Sequence, residues 1–212
     1  MMKLFIGNKA YSSWSLRGWL ACKLSALPFE EVVVPLYDEA WEKRREGDEF
    51  APSSGKVPIL WDGDDIVVWD SLAIVEYLNE KSGGTLFWPA DPAARAMARS
   101  MAAEMHSSFA ALRREHSMNI RQIYPAVPPS DAVAQDIARL MQLWAQARAR
   151  HGGDGEFLFG HSARRTSCSR PSSRASSPIN CPSPALRRPI CTRSSRIPGC
   201  RNGSAARRPK TG

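Results

Sequence analysis

Three serines open the first predicted helix, in the sequence Tyr11-Ser12-Ser13-Trp14-Ser15. The nucleophilic form of a thiol is its thiolate, and a free thiol with a pKa of about 8.5 is mostly protonated at neutral pH. A hydroxyl at a helix N-terminus can donate a charge-assisted hydrogen bond to a bound thiolate, and the helix dipole stabilises the same negative charge. The pattern therefore indicates activation of a thiol, with Ser12 as the first candidate donor.

Local sequence alone favours a simpler role for Ser12, that of N-cap for a helix starting near Trp14, because serine is among the preferred cap residues. A cap position read from sequence can be displaced by one or two residues, so the spacing leaves Ser13 and Ser15 open as donors. Tyr11 offers a phenol, although a tyrosine that leaves a strand is more typical of packing. We rank the candidate donors Ser12, Ser13, Tyr11.

A second set of candidate residues comprises Lys56-Val57-Pro58 and Asp70-Ser71. A proline that opens an apolar strand, followed at the next helix start by an acidic residue and a serine, suits the binding of a small peptide through backbone and charge. An X-Pro bond is the only kind that adopts cis at modest cost, and a cis bond here would turn the Val57 backbone outward to pair with such a peptide. Two simpler interpretations stay open at this point: Pro58 starts an edge strand, and Asp70-Ser71 is only a helix cap.

The framework that must position these residues is an α/β unit. Short apolar runs from Lys3 to Gly7 and from Phe29 to Pro35 flank a helical pattern from about Ser15 to Leu27, an order typical of a βαβ unit. Residues 36–56 are charged and irregular, and we expect a loop or a short helix there.

A β-hairpin and a capped helix are predicted next. The runs Pro58 to Trp61 and Ile66 to Trp69 flank the turn Asp62-Gly63-Asp64-Asp65, which is the spacing of a hairpin. Asp70-Ser71 then supplies the N-cap of a helix that runs to about Lys81.

Beyond a linker at residues 86–92, the sequence is helical. Apolar residues at helical spacing predict one helix from Pro92 to about Arg121. This stripe consists of Met97, Met101, Met105, Phe109 and Leu112. A second helix, capped by Ser130-Asp131 and ending at about Arg150, is expected to pack on the first as an antiparallel pair.

Three of these elements together resemble the glutathione S-transferases: Tyr11 to Arg17, Lys56-Val57-Pro58, and Asp70 to Leu78. The serine-rich first element is similar to the serine-type branch of the family, especially its zeta-like members. The resemblance covers roughly residues 3–160 and implies an α/β thioredoxin-like N-terminal domain followed by an all-α C-terminal domain.

The implied domain boundaries are residues 1–85 for the glutathione-binding domain and 92–160 for a partial helical domain. The resemblance also implies a role for each site residue. Ser12, with Ser13 as its alternative, ionises the thiol of glutathione, and Val57 beside Pro58 pairs with the cysteine unit of that tripeptide. Asp70 and Ser71 meet the γ-glutamyl end, and Lys56 faces the glycine carboxylate.

The acceptor pocket is implied along the first long helix, at Met105, His106 and Phe109. The methionine stripe of that helix is equally typical of helix packing, and a lone histidine on a helix is weak support for a role in binding. The second substrate implied is a small hydrophobic electrophile, as expected of a detoxification enzyme.

The function predicted is therefore conjugation of glutathione, as co-substrate, to small electrophiles. A glutathione-dependent cis-trans isomerase of the zeta type and a non-catalytic glutathione-binding module are the alternatives.

The sequence has neither metal-ligand spacing nor a phosphate-binding glycine loop, and it has no run of about 18 apolar residues for a membrane span. We expect a cytoplasmic homodimer that uses no metal and binds neither nucleic acid nor membrane. Cys22, in an apolar helical stretch, is expected to have no catalytic role.

Residues 161–212 differ in composition from the rest of the chain. Residues 1–160 hold 17 Lys plus Arg against 21 Asp plus Glu, whereas residues 161–212 hold 12 against none, together with four of the five cysteines. Such an Arg/Ser/Pro-rich segment cannot form a packed core, and we expect it to be a disordered tail. Shifting the reading frame by one base converts many of these codons to apolar ones, which suggests a frameshift near residue 161.

Overall fold

The structure is a computed structural model of the 212-residue chain, and it describes residues 1–160. Of these, Met1–Gln122 and 129–160 belong to one compact unit, and Ile123–Pro128 belongs to another. The predicted tail and the frameshift hypothesis concern residues 161–212, which lie outside the described residues.

Four strands form one mixed sheet: β1 (Met2–Ile6), β2 (Phe29–Val33), β3 (Ile59–Asp62) and β4 (Ile66–Trp69). Their order in the sheet is β2-β1-β3-β4. β1 runs parallel to β2 and antiparallel to β3, and β3 and β4 form the antiparallel hairpin predicted from the sequence.

The helices follow in chain order as α1 (Ser13–Ser25), α2 (Glu39–Arg44), α3 (Ser71–Lys81), α4 (Pro92–Ser107), α5 (Ala110–Glu115) and α6 (Asp131–His151). A short 3-10 turn, Ala51–Ser53, lies between α2 and β3. Within the described residues, no helix is both long enough and apolar enough to cross a membrane.

The sheet separates two apolar clusters, because alternate residues of β1 point to opposite faces. Leu4 and Ile6 pack with residues of α1 and α3 on one face. Phe5 packs on the other face with Trp41 of α2 and with Phe50. This arrangement of a mixed sheet covered by helices confirms the thioredoxin-like first domain, and the helices after it confirm the α-helical second part.

The predicted helix from Pro92 to about Arg121 is wrong in its second half. The chain leaves helical geometry after α4, where Phe109 has φ 64° and ψ 43°, and α5 then ends at Glu115. Phe109 is 5% exposed and packs with Leu140 and Leu143 of α6. Tertiary burial of this ring therefore overrides the helical periodicity of the sequence.

α6 begins and ends close to the predicted positions, and the Ser130 Oγ accepts from the Val133 N–H as its cap. Glu104 of α4 pairs with Arg139, whose Nε lies 2.6 Å from the Glu104 Oε1. Further along the chain, the Leu112 N–H donates to Asp136, one helical turn earlier in α6. These contacts run in opposite chain directions, which confirms the antiparallel packing.

Candidate functional site

Ser12 is the N-cap of α1. Its backbone N–H donates to the Asn8 carbonyl oxygen at 2.9 Å, and its Oγ accepts from the Ser15 N–H at 3.3 Å. The Asn8 Oδ1 also accepts from the Ala10 N–H at 2.8 Å, so the loop that joins β1 to α1 is held by its own hydrogen bonds. The capping role predicted for Ser12 is confirmed, and this half-buried residue lies at the positive end of the helix dipole.

A short chain of hydrogen bonds joins Ser12 to the residue that follows β1. The Ser12 Oγ donates to the Ser15 Oγ at 2.9 Å, and the same Ser15 oxygen accepts from the Gly7 N–H at 2.9 Å. Ser15 is 0% exposed, so its hydroxyl cannot contact a ligand directly. Ser13 is half-buried as the first residue of α1, and Tyr11 is exposed.

The Val57–Pro58 peptide bond is cis, and Pro58 is buried against α1. A Cβ on Gly18 of that helix would lie 2.9 Å from the Pro58 Cβ, so the absence of a side chain permits this close approach. No hydrogen bond joins the N–H or C=O of Val57 to another described residue. Both groups are therefore available to pair with an extended peptide.

Ser53 holds the backbone beside Val57 in place. Its side chain is buried, and its Oγ accepts from the Lys56 N–H at 3.1 Å and donates to the Lys56 carbonyl oxygen at 2.7 Å. The Lys56 side chain is exposed. Ser53 was not among the residues predicted for the site. It lies three residues before Lys56 in a loop, where serine hydroxyls often bond to nearby backbone, and this position was the available signal.

Asp70 and Ser71 begin α3. The Asp70 Oδ1 accepts from the Leu72 N–H at 2.8 Å, and its Oδ2 lies 3.1 Å from the His106 Nε2. Ser71 is 2% exposed as a residue, and among the described residues its hydroxyl has no hydrogen-bond partner. Asp70 thus caps α3, as the sequence predicts, and its carboxylate also contacts His106 of α4.

Asp70 also has an unusual backbone conformation, with φ 76° and ψ 136°. These angles lie outside the regions open to a residue that carries a Cβ. Strain of this kind persists only where the surrounding structure imposes it, and it is concentrated at functional sites.

Trp14 lies at the centre of a polar group that the sequence analysis missed. Its ring packs edge-on against His106 at a centroid distance of 5.0 Å, and the guanidinium carbons of Arg17 and Arg113 lie 4.6 and 4.9 Å from the Trp14 ring centroid. Burial and the charge of Arg113 lower the pKa of Arg17, and Asp70 partly offsets this. The i,i+3 spacing of Trp14 and Arg17 on one helix was the available signal.

The three residues predicted for the acceptor pocket are placed differently from one another. Phe109 is buried in the cluster with Leu140 and Leu143, and Met105 packs against the same cluster. His106, in contrast, contacts Trp14 and Asp70. Met105 thus takes part in helix packing, and His106 alone of the three adjoins the other site residues.

α1 is the element that brings the predicted site residues together. Ser12 caps it, its second turn lies against Pro58, and Trp14 contacts His106, which pairs with Asp70. A hydroxyl at a helix N-terminus, a strand start with available backbone groups and a capped helix with an acidic residue are thus arranged around one helix. Such an arrangement can hold a small peptide and stabilise a negative charge near Ser12.

In residues 1–160, no group of three or more His, Cys, Asp or Glu side chains is placed to hold a metal ion. Cys22 is free and fully buried, and burial raises the pKa of its thiol to about 12. The thiol is therefore protonated at neutral pH.

Residues 11–81 match the family model for the glutathione S-transferase N-terminal domain. The chain is also 44% identical over 62 residues to a dichloromethane dehalogenase from Methylorubrum extorquens, a match that covers 29% of this chain and 21% of that relative. These matches identify residues 11–81 as similar to a glutathione S-transferase N-terminal domain. The match spans about a fifth of the length of the curated relative.

Solved structures support the fold. A glutathione transferase homologue from Burkholderia, with bound glutathione, is 22% identical with a TM-score of 0.53, and the match covers 76% of this chain and 74% of that one. A diazinon-metabolizing glutathione S-transferase of the silkworm Bombyx mori is 18% identical with a TM-score of 0.55, over 77% and 75% of the two chains. The architecture of residues 1–160 is therefore that of a glutathione transferase.

Proposed function

We propose that this protein is a glutathione transferase in which the first domain binds glutathione and Ser12 stabilises its thiolate. The observation that carries the proposal is the position of the Ser12 hydroxyl, at the N-terminus of a helix that packs on the cis Val57–Pro58 bond. The similarity of residues 11–81 to a glutathione S-transferase N-terminal domain supports glutathione as the ligand.

Each part of glutathione has a suitable partner. The available N–H and C=O of Val57 suit the backbone of the cysteine unit, which would pair with them as a short extended segment. The Ser71 hydroxyl and the N-terminus of α3 suit the γ-glutamyl carboxylate, and the Asp70 carboxylate suits the neighbouring ammonium group. The exposed Lys56 suits the glycine carboxylate.

The chemical step proposed is attack of the thiolate on an electrophilic carbon. With a halogenated substrate, a sulfur–carbon bond forms, the carbon–halogen bond breaks, and halide leaves with the electron pair. The Ser12 hydrogen bond favours the thiolate before attack, and a pKa lowered by one unit corresponds to about 1.4 kcal/mol. The 44% identical relative is a dichloromethane dehalogenase, which supports a halogenated substrate.

The test compares the full-length protein with its Ser12→Ala variant, and Ser13→Ala serves as the matched control on the same turn. Glutathione binding is titrated by tryptophan fluorescence, and the thiol pKa is titrated in the complex by thiolate absorbance. We expect Ser12→Ala to raise the thiol pKa by about one to two units and to lower turnover about tenfold or more. Ser13→Ala should change neither quantity, and the reverse outcome would transfer the role to Ser13.

The second substrate is tested with three assays: conjugation of an aryl halide, release of halide from a dihalomethane, and isomerisation of a maleyl compound. Activity in the first two supports the transferase, and activity in the third alone supports the zeta-type isomerase. Glutathione binding without turnover in any assay would leave a binding module. Assembly as a homodimer in the cytoplasm belongs to the same proposal, and sedimentation velocity tests the dimer.

A further inference from the structure

Ser12 has one hydroxyl proton, and in the structure that proton is donated to the Ser15 Oγ at 2.9 Å. To donate to a bound thiolate, the Ser12 hydroxyl must turn its proton away from Ser15. The hydrogen bond between the two serines can then reverse its direction, so that Ser15 donates to Ser12, because a serine hydroxyl both donates and accepts.

Ser15 is placed to make this reversal favourable. Its oxygen is fixed by the Gly7 N–H at 2.9 Å, and the side chain is 0% exposed, so water does not compete for it. Among the described residues, Ser12 is the one hydroxyl partner of the Ser15 Oγ. The Ser15 proton therefore has an acceptor when the Ser12 oxygen faces it and the Ser12 proton faces the ligand.

We infer that Ser15 is a positioning residue for thiol activation, which donates to Ser12 while Ser12 donates to the thiolate. This inference rests on the proposed function of Ser12. The resulting chain runs from the Gly7 N–H through the Ser15 and Ser12 hydroxyls to the sulfur, with every bond pointing towards the negative charge. Hydrogen bonds in such a chain polarise one another, so each donor is stronger than it is alone.

The burial of Ser15 separates this role from contact with the substrate. The residue does not touch the ligand, so its removal should change the thiol pKa and turnover while leaving the dissociation constant of glutathione nearly unchanged. A residue that only stabilises the fold would move neither the thiol pKa nor the pH profile.

The experiment is a double-mutant cycle with Ser12→Ala, Ser15→Ala and the double variant, all in the full chain. We expect Ser15→Ala to raise the thiol pKa in the glutathione complex by about half a unit and to lower kcat/KM about threefold below that pKa. In the Ser12→Ala background the same change should have no further effect on the thiol pKa, because Ser15 acts through Ser12.

Two further variants control for stability. Ser15→Thr keeps the hydroxyl and should restore the thiol pKa. Asn79→Ala removes a buried side chain whose Oδ1 accepts from the Leu86 and Phe87 N–H groups at 3.0 Å, distant in sequence from Ser12. It should lower the urea midpoint as Ser15→Ala does, because both variants leave buried or partly buried N–H groups unpaired, yet it should leave the thiol pKa unchanged.

The outcomes distinguish failure of the role proposed for Ser12 from failure of the role inferred for Ser15. If Ser12→Ala itself leaves the thiol pKa unchanged, the proposed function of Ser12 fails. If Ser12→Ala raises the pKa but Ser15→Ala does not, or if the two shifts add independently, the role of Ser15 is overturned while that of Ser12 stands.

Discussion

The Asp70→Gly variant should be more stable to unfolding than the Asp70→Ala variant. This is the opposite of the usual order of glycine and alanine in helices. With φ 76° and ψ 136°, the backbone is strained by any Cβ, at a cost of about 1–3 kcal/mol. Glycine removes that strain. It also raises the conformational entropy of the unfolded chain, which lowers stability by about 0.4–1 kcal/mol. Alanine keeps the strain and also caps the helix less well than glycine does.

The expected difference is about 2 kcal/mol in favour of Asp70→Gly over Asp70→Ala. Both variants lose the contact between the Asp70 carboxylate and His106, so its contribution to stability cancels between them. Urea denaturation of the full chain, followed by tryptophan fluorescence, should show midpoints about 1 M apart, since the urea slope for a chain of this size is about 2 kcal/mol per M.

The matched control is Ala73→Gly, at an exposed position in the same helix. Here glycine should be less stable than alanine by about 1 kcal/mol, the ordinary helix propensity difference. Both Asp70 variants should weaken glutathione binding, because both remove the carboxylate. Equal midpoints for Asp70→Gly and Asp70→Ala, or a higher midpoint for alanine, would refute the interpretation that the backbone of Asp70 is strained.

Two further predictions concern the packing of α1 and the pH dependence of stability. In Gly18→Ala the new Cβ would lie 2.9 Å from the Pro58 Cβ, so overpacking of about 1–3 kcal/mol should exceed the helix propensity gain of about 1 kcal/mol. The urea midpoint and the glutathione affinity should both fall, and a rise in the midpoint would contradict the packing. The Asp62 Oδ2 accepts from Lys81 at 2.6 Å and from Tyr77 at 2.5 Å, and these two bonds lower the pKa of Asp62. The stabilisation is therefore present above an ordinary aspartate pKa of about 3.9 and is lost as pH falls through the lower folded value. Asp62→Asn should cost up to about 1 kcal/mol at pH 7, since Lys81 is 40% exposed, and a cost that persists at about pH 2 would count against the assignment.

Local sequence predicted the elements whose ends are set by caps and turns. The β3–β4 hairpin follows from its four-residue turn, and α3 follows from Asp70, whose side chain caps it. The two ends of α6 follow in the same way from Ser130 and the change of pattern after Arg150. These signals lie within a few residues of the feature that they determine, so no tertiary contact is needed to interpret them.

Apart from the local bonds of Ser53, the missed features depend on contacts between elements. The break at Phe109 arises because α6 buries its ring, and nothing in the local pattern of residues 92–121 contains that information. The Arg17 and Arg113 side chains meet on Trp14 although they belong to different helices. The hydroxyl of Ser15 is held in position by a hydrogen bond from the Gly7 N–H, which follows β1. The domain boundaries at residues 85 and 92 and the roles of the site residues stay predictions.

The burial of Cys22 determines whether residues 1–160 can take part in thiol–disulfide exchange. Thiol–disulfide exchange needs an accessible thiolate, and a thiol with a pKa of about 12 and no exposed surface supplies almost none at neutral pH. Glutathione disulfide therefore has no point of attack on residues 1–160, where Cys22 is the one cysteine. If glutathione binds as proposed, the described part of the chain offers its thiol no cysteine with which to form a mixed disulfide.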